Sequence, residues 1–269
     1  MFEYESSRHE SIVLQPSIPE LNWNDKTLYD ASNTGDIDFM LYEISEANSL
    51  FAIKKASEVI PQWFRDIDVR SDDVTLTAKR CTPLLDAFTA GYVMVNTKDI
   101  HINRGLDGTI SITVDDLPEN TYLGSHPLSQ IGTMAFGNEY VQKIYKWANF
   151  WVIKTPPNIS CLFMQPVNRP DLPFHILSGI VDTDKFFNQV SFPFLLKNNF
   201  YGTVPAGTPI VQIIPFRREG WRPNIFNKMS TKLNKDKAIM TKKYMDSMFE
   251  GGKAIGGIYK KFFRDKKHY

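Results

Sequence analysis

Apolar and polar residues alternate with a period of two along "TISITV" at 109–114 and "DVTLTAKRC" at 73–81, the pattern of a strand with one buried face. Runs of the same kind are "AGYVMVN" at 90–96, "DIHIN" at 99–103, "NFWVIKT" at 149–155, "SCLFMQPV" at 160–167, "SFPFLL" at 191–196 and "PIVQIIPFRR" at 209–218. "DIDFMLYEI" at 36–44 alternates in part. Turn signals separate the runs: "LDG" at 106–108, "TPPN" at 155–158, "NRPDLP" at 168–173 and "PAG" at 205–207. Many short strands with no helical pattern between them predict a mainly β fold, an antiparallel barrel or sandwich, over residues 71–220. Pro193 and Pro215 fall inside two of the runs. Proline has no N–H for a ladder bond, so both mark edges or bulges, which a closed or subunit-paired barrel would manage.

Residues 1–70 carry no sustained period and predict an irregular, mixed segment, with a short amphipathic stretch from Ala56 to Phe64 broken by Pro61. Residues 221–269 are rich in Lys and Met and predict a basic helical tail. Ile239, Tyr244, Met245, Met248 and Phe249 roughly follow helical spacing and form an apolar stripe that stops near Gly251 and Gly252. "EGGKAIGG" at 250–257 has neither a preceding strand nor the Ser or Thr of a phosphate loop, and reads as a hinge between two helices.

With 269 residues, 42% of them hydrophobic, the chain is long enough to bury a full core. No apolar run reaches the roughly 18 residues of a membrane span. Glu3, Glu5, Arg8, Glu10 and Glu20 occupy the stretch where a signal peptide needs apolar residues. The chain is therefore expected to be neither a membrane protein nor secreted. Its net charge of +1 is unevenly spread: residues 217–269 hold 15 Lys and Arg against 5 Asp and Glu, and the rest hold 16 against 25. A body of −9 thus carries a tail of +10. Such asymmetry attracts nucleic acid or an acidic protein surface. Equally, the tail can neutralise the body of its own or a neighbouring subunit. The candidate partner-binding cations are Lys242, Lys243, Lys260, Lys261, Arg264, Lys266 and Lys267.

Candidate chemistry concentrates in "SGIVDTDKFF" at 178–187. Asp182 and Asp184, at i and i+2 of extended backbone, point the same way. They could hold a divalent ion, or one could act as a general base. The same residues, followed by Lys185, also make an ordinary turn at a strand end. The five histidines are scattered, with no spacing that points to a zinc site. Cys81 and Cys161 lie eighty residues apart and read as two buried, reduced thiols.

"IKTPPNISCLFMQPVN", "LSGIVDTD" and "GTVPAGTPIVQII", in that order, resemble the core of the dUTPase and dCTP deaminase superfamily, and "TAGYVMV" at 89–95 resembles its Ala-Gly-Tyr-Asp-Leu segment. The resemblance covers roughly residues 90 to 215 and implies a dUTPase-like barrel, a homotrimer and a magnesium-dependent nucleotide site. Residue by residue, most of that site is replaced. The first-motif aspartate falls on Val93, and the phosphate-handling Arg-Ser pair falls on Val167 and Asn168. The Tyr-Arg-Gly after the second aspartate is Lys185, Phe186 and Phe187. Asp182 matches the family's sugar-contacting, water-orienting aspartate.

Over its full length the chain also resembles a group of proteins encoded by tailed phages, particularly those of marine bacteria. "IPQWFRD", "CTPLLDAFTAGYV", "LPFHILSGIVDTD", "GTPIVQIIPFRREGW" and "YKKFFRDKKHY" carry that likeness. Together the resemblances imply a non-enzymatic phage protein, virion-associated and structural, located in the virion or host cytoplasm. It would need no cofactor, would oligomerise, and would dock its basic tail on acidic surfaces of other virion proteins. The alternative is a divergent deoxynucleotide hydrolase or deaminase that uses magnesium. Asp182 would be its base, Asp184 a metal ligand, and Arg169 or Arg217 its phosphate contact.

Overall fold

The computed structural model describes residues 35–41, 50–70, 77–118, 122–131 and 139–249, together with Tyr259 and Arg264. The chain divides into two units, Met1–Asp36 and Ile37–Tyr269, and the elements below belong to the second. In chain order, β1 (Asp38–Leu41) and β2 (Phe51–Lys55) precede helices α1 (Gln62–Asp66) and α2 (Thr82–Phe88). Next come β3 (Tyr92–Asn96), β4 (Ile100–Arg104), β5 (Ile110–Val114), β6 (Leu123–His126) and β7 (Tyr140–Trp147). They are followed by β8 (Trp151–Lys154), β9 (Ile159–Met164), β10 (Phe174–Ile176) and β11 (Gly179–Val181). Last are β12 (Phe192–Lys197), β13 (Gly202–Val204), β14 (Pro209–Arg217) and the 19-residue helix α3 (Thr231–Phe249).

The strands form four open antiparallel sheets, in the orders β1-β8, β10-β12-β7-β6, β11-β9-β14-β3-β2 and β13-β4-β5. None closes on itself, so the expected mainly β barrel or sandwich is not formed, and the fold is mixed α/β. Alternation fixes which face of a strand is buried. It does not fix the stagger and tilt that closure demands. Helices also take part in the packing. Gln212 of β14, 2% exposed, donates to the carbonyls of Ala87 (3.1 Å) and Ala90 (2.8 Å) at the end of α2. It also accepts the Val167 N–H at 3.0 Å. A seven-residue helix starting Thr82-Pro83 is too short to show periodicity, and proline is tolerated in its first turn.

One contiguous apolar core draws residues from all four sheets, including Ile153, Trp147, Phe194, Phe163, Val211, Ile100 and Val204. Cross-strand register assembles it. Phe192 lies opposite Trp147 and Phe194 opposite Tyr145, which stacks the Trp147 and Phe194 rings at 4.6 Å between centroids. Pro193 and Pro215 both sit where one neighbouring strand has ended: β10 reaches only Phe194, and β3 only Ile213. Each proline is thus at a local edge inside a central strand. At the start of β3, Gly91 has φ 68°, and a Cβ there would lie 2.1 Å from the Ile213 carbonyl oxygen. Only glycine permits that approach.

The remaining expectations divide by position. Of the strand expected at 73–81, residues 73–76 lie outside the described residues, and 78–80 form a 3-10 turn. The stretch from Ala56 to Phe64 becomes a 3-10 turn and then α1, with Pro61 just before the helix. The tail is helical over α3, but Ile239, Tyr244 and Met245 are all more than half exposed. That part of the stripe is therefore largely open to solvent. The hinge at 250–257 lies outside the described residues. Among the described residues, no helix is long and apolar enough to cross a membrane.

Candidate functional site at the aspartate pair

Two turns bring the site together. In "TPPN", the Ile159 N–H closes a turn onto the Pro156 carbonyl at 3.2 Å. Asn158, at φ 65°, takes the left-handed position that Asn tolerates better than most residues. That conformation aims the Asn158 N–H at Oδ2 of Asp184, 2.9 Å away. After β11, the N–H groups of Lys185 and Phe186 both donate to the Asp182 carbonyl at 2.9 Å. Thr183, between the two aspartates, turns inward and is 1% exposed. Its hydroxyl pairs with that of Thr155 at 2.8 Å and reaches the Cys161 sulfur at 3.4 Å. With Thr183 turned inward, the side chains of Asp182 and Asp184 on either side of it both face the end of β14.

There they meet Arg218. Its Nη1 and Nη2 donate to Oδ1 and Oδ2 of Asp184, the former at 2.7 Å. Nη1 also donates to Ser160 Oγ at 2.9 Å and lies 3.3 Å from Asp182 Oδ1. The Ser160 hydroxyl in turn donates to Asp182 Oδ1 at 2.7 Å. The Arg218 N–H donates to the Asn158 carbonyl at 2.8 Å, so backbone and side chain are both engaged. The two carboxylates differ in burial: the Asp184 side chain is 6% exposed and that of Asp182 50%. The Arg218 hydrogen bonds hold the Asp184 carboxyl below its ordinary value. Burial opposes this, and the Asn158 N–H adds to it. The same contact raises the Arg218 guanidinium. Burial pushes the Cys161 thiol up.

Chemically, a guanidinium in two-point contact, with a backbone N–H beside it, occupies the lone pairs that Asp184 would offer a metal ion. Among the described residues, no group of three His, Cys, Asp or Glu is placed to hold a metal ion. The arginines expected to serve a nucleotide lie elsewhere. Arg169 is closed onto Asp171 through Nε at 2.8 Å and Nη2 at 2.6 Å. Arg217 is largely exposed, with Glu219 at 3.9 Å. Arg218 was the partner missed. It follows β14 by one position, inside the run read from sequence as a single strand, so no spacing ties it to the aspartates.

The partner-binding candidates also divide. Lys242 and Lys243 are exposed on α3. Lys260, Lys261, Lys266 and Lys267 lie outside the described residues. Arg264 is committed: its Nη2 donates at 2.6 Å to Oδ1 of Asp86, whose side chain is 5% exposed on α2. Cys161 is buried as expected, whereas Cys81, just before α2, is exposed.

A groove of about 650 Å³ lies apart from the aspartates, bordered by Trp63, Tyr140, Asn168, Arg169, His175 and Lys197. Neither Asp182 nor Asp184 lines it. Of the positions given by the superfamily resemblance, Val93 is buried with Ala56 and Val95 under the 3-10 turn, and Val167 gives its N–H to Gln212. Both contribute packing or backbone anchoring.

Compared with known proteins, the chain matches no family model and no curated protein. The dUTPase-like barrel is overturned by the four open sheets. No family model or curated protein supports the expected phage, virion or homotrimer assignment.

Proposed function

We propose that the chain is a non-enzymatic binding component whose basic C-terminal arm engages an anionic partner surface. The observation that carries this reading is the closure of Asp184 by Arg218 and the Asn158 N–H. A general base needs an accessible lone pair, and a magnesium ligand needs a carboxylate not already neutralised by a cation. Asp184 offers neither, and Asp182 alone is a half-exposed carboxylate outside the groove. The clamp acts on the chain itself. Arg218 is the last residue before an exposed stretch, so its contact with Asp184 fastens the root of the arm. Residues 217–269 carry +10, which suits a partner rich in negative charge.

The test is a screen of deoxynucleoside triphosphates with magnesium, read by release of pyrophosphate, phosphate or ammonia. No release is expected. Release that disappears in Asp182→Asn would restore the reading as a hydrolase or deaminase.

A further inference from the structure

Every residue from 219 to 246 is exposed, first as a segment without regular secondary structure and then as α3. The stretch is anchored at Arg218 on its near side, and Arg264 beyond it is fixed to Asp86. Most helical stability in proteins comes from the packing of an apolar face, yet residues 231–246 of α3 are all exposed. The arm also displays large rings without shelter: Trp221 is 84% and Phe226 79% exposed. Apolar surface left open in this way marks a place of contact.

Two features identify the occupant. Residues 217–246 hold nine Lys and Arg against three Asp and Glu, and eight of those cations remain when Arg218 is set aside. The cations flank the rings: Arg222 directly follows Trp221, and Lys228 lies two positions beyond Phe226. An acidic protein surface answers the cations and leaves the rings unmatched. Duplex nucleic acid answers the cations but hides its base faces in the stack. A single strand presents phosphates and flat apolar base faces in alternation, the combination that aromatic-and-cationic channels recognise.

We infer that residues 217–246 bind single-stranded nucleic acid. Trp221 and Phe226 stack on bases, while Arg222, Lys228, Lys232 and Lys235 meet phosphates. The inference rests on the proposed function only in taking the arm as the binding element, and it specifies the anionic partner.

The experiment is a fluorescence-anisotropy titration of the full chain against an end-labelled oligothymidine of roughly 16 nucleotides. It is repeated over a series of salt concentrations, with a duplex of equal length and polyglutamate as comparisons. The single strand is expected to bind most tightly. The slope of log affinity against log salt should be about −3, corresponding to about four phosphates neutralised. Trp221→Ala with Phe226→Ala should weaken single-strand binding at least about tenfold and leave the slope unchanged. Lys232→Glu with Lys235→Glu should flatten the slope by about 1.4. All four positions are exposed, so these variants do not disturb the core. Equal affinity for polyglutamate or duplex, indifference to the ring substitutions, or no binding overturns the inference. The triphosphate screen is run on the same preparation, so turnover would sink the non-enzymatic reading without altering the titration, and a flat titration would leave that reading standing.

Discussion

Arg218 closes both Nη groups on the carboxylate of Asp184, 34 residues earlier in the chain, at the point where the sheet ends and the exposed arm begins. The pair joins the turn after β11 to the end of β14. It therefore links the aspartates to the stability of the fold.

A pH dependence follows from that contact. The folded Asp184 carboxyl is held below its ordinary value of 3.8, chiefly by Arg218. A lowered folded value means that the stabilisation is fully present above the ordinary value and is lost as pH falls through the lowered one. Asp184→Asn should therefore melt below the wild type at neutral pH, and the gap should narrow below about pH 4. Thermal melts followed by circular dichroism across that range check this. A gap that widens in acid would contradict it.

Asp182 should behave differently. Its side chain is half exposed, with Ser160 as its hydroxyl donor and Arg218 at 3.3 Å. Exposed pairs of this kind contribute little, so Asp182→Asn should change unfolding free energy by less than about 1 kcal/mol. Denaturant titration of the two asparagine variants side by side would show whether the aspartates divide in this way.

Gln212 holds three backbone groups from two separate segments while almost wholly buried. Gln212→Leu keeps the apolar volume and strands the carbonyls of Ala87 and Ala90 and the N–H of Val167. Unsatisfied buried groups make this cost about 2–4 kcal/mol, measurable in urea. A neutral outcome would mean that α2 is not held to the sheet through this side chain.

How much of this was legible beforehand depends on the range of the interaction. Period-two alternation located β3, β4, β5, β8, β9, β12 and β14, because burial of one face leaves its mark within a few residues. It did not locate β7, whose "YVQKIYKW" mixes lysines into a largely covered strand, or three-residue strands such as β10 and β13, which are too short to show a period. Alternation does not determine sheet closure, because strand order is set by contacts far apart in sequence, such as Phe51 with Asn96 and Ile213 with Phe163. At the site, the Asp-x-Asp spacing was visible and its ambiguity real. What resolved it was Arg218, brought in from 34 residues away, and nothing local to "DTD" announces that partner.

The far end of the tail gives a further prediction. Arg264 satisfies Asp86, whose carboxylate is nearly buried on α2. Arg264→Ala should loosen the tail and leave the body folded, so limited trypsinolysis should cleave the tail several-fold faster than in the wild type, with the body band unchanged. Asp86→Asn should act in the same direction. Unaltered cleavage in both variants would mean that the contact does not hold the tail.

The central claim is that Asp184, held by Arg218, fastens the chain and does not act on a substrate. A double-mutant cycle on Asp184→Ala and Arg218→Ala, read by thermal unfolding, tests it most directly. Each single variant is predicted to melt below the wild type, and the double variant no lower than the worse of the two, because both singles break the same contact. Single variants that melt like the wild type, or losses that simply add, would contradict the account and leave Asp184 available for chemistry.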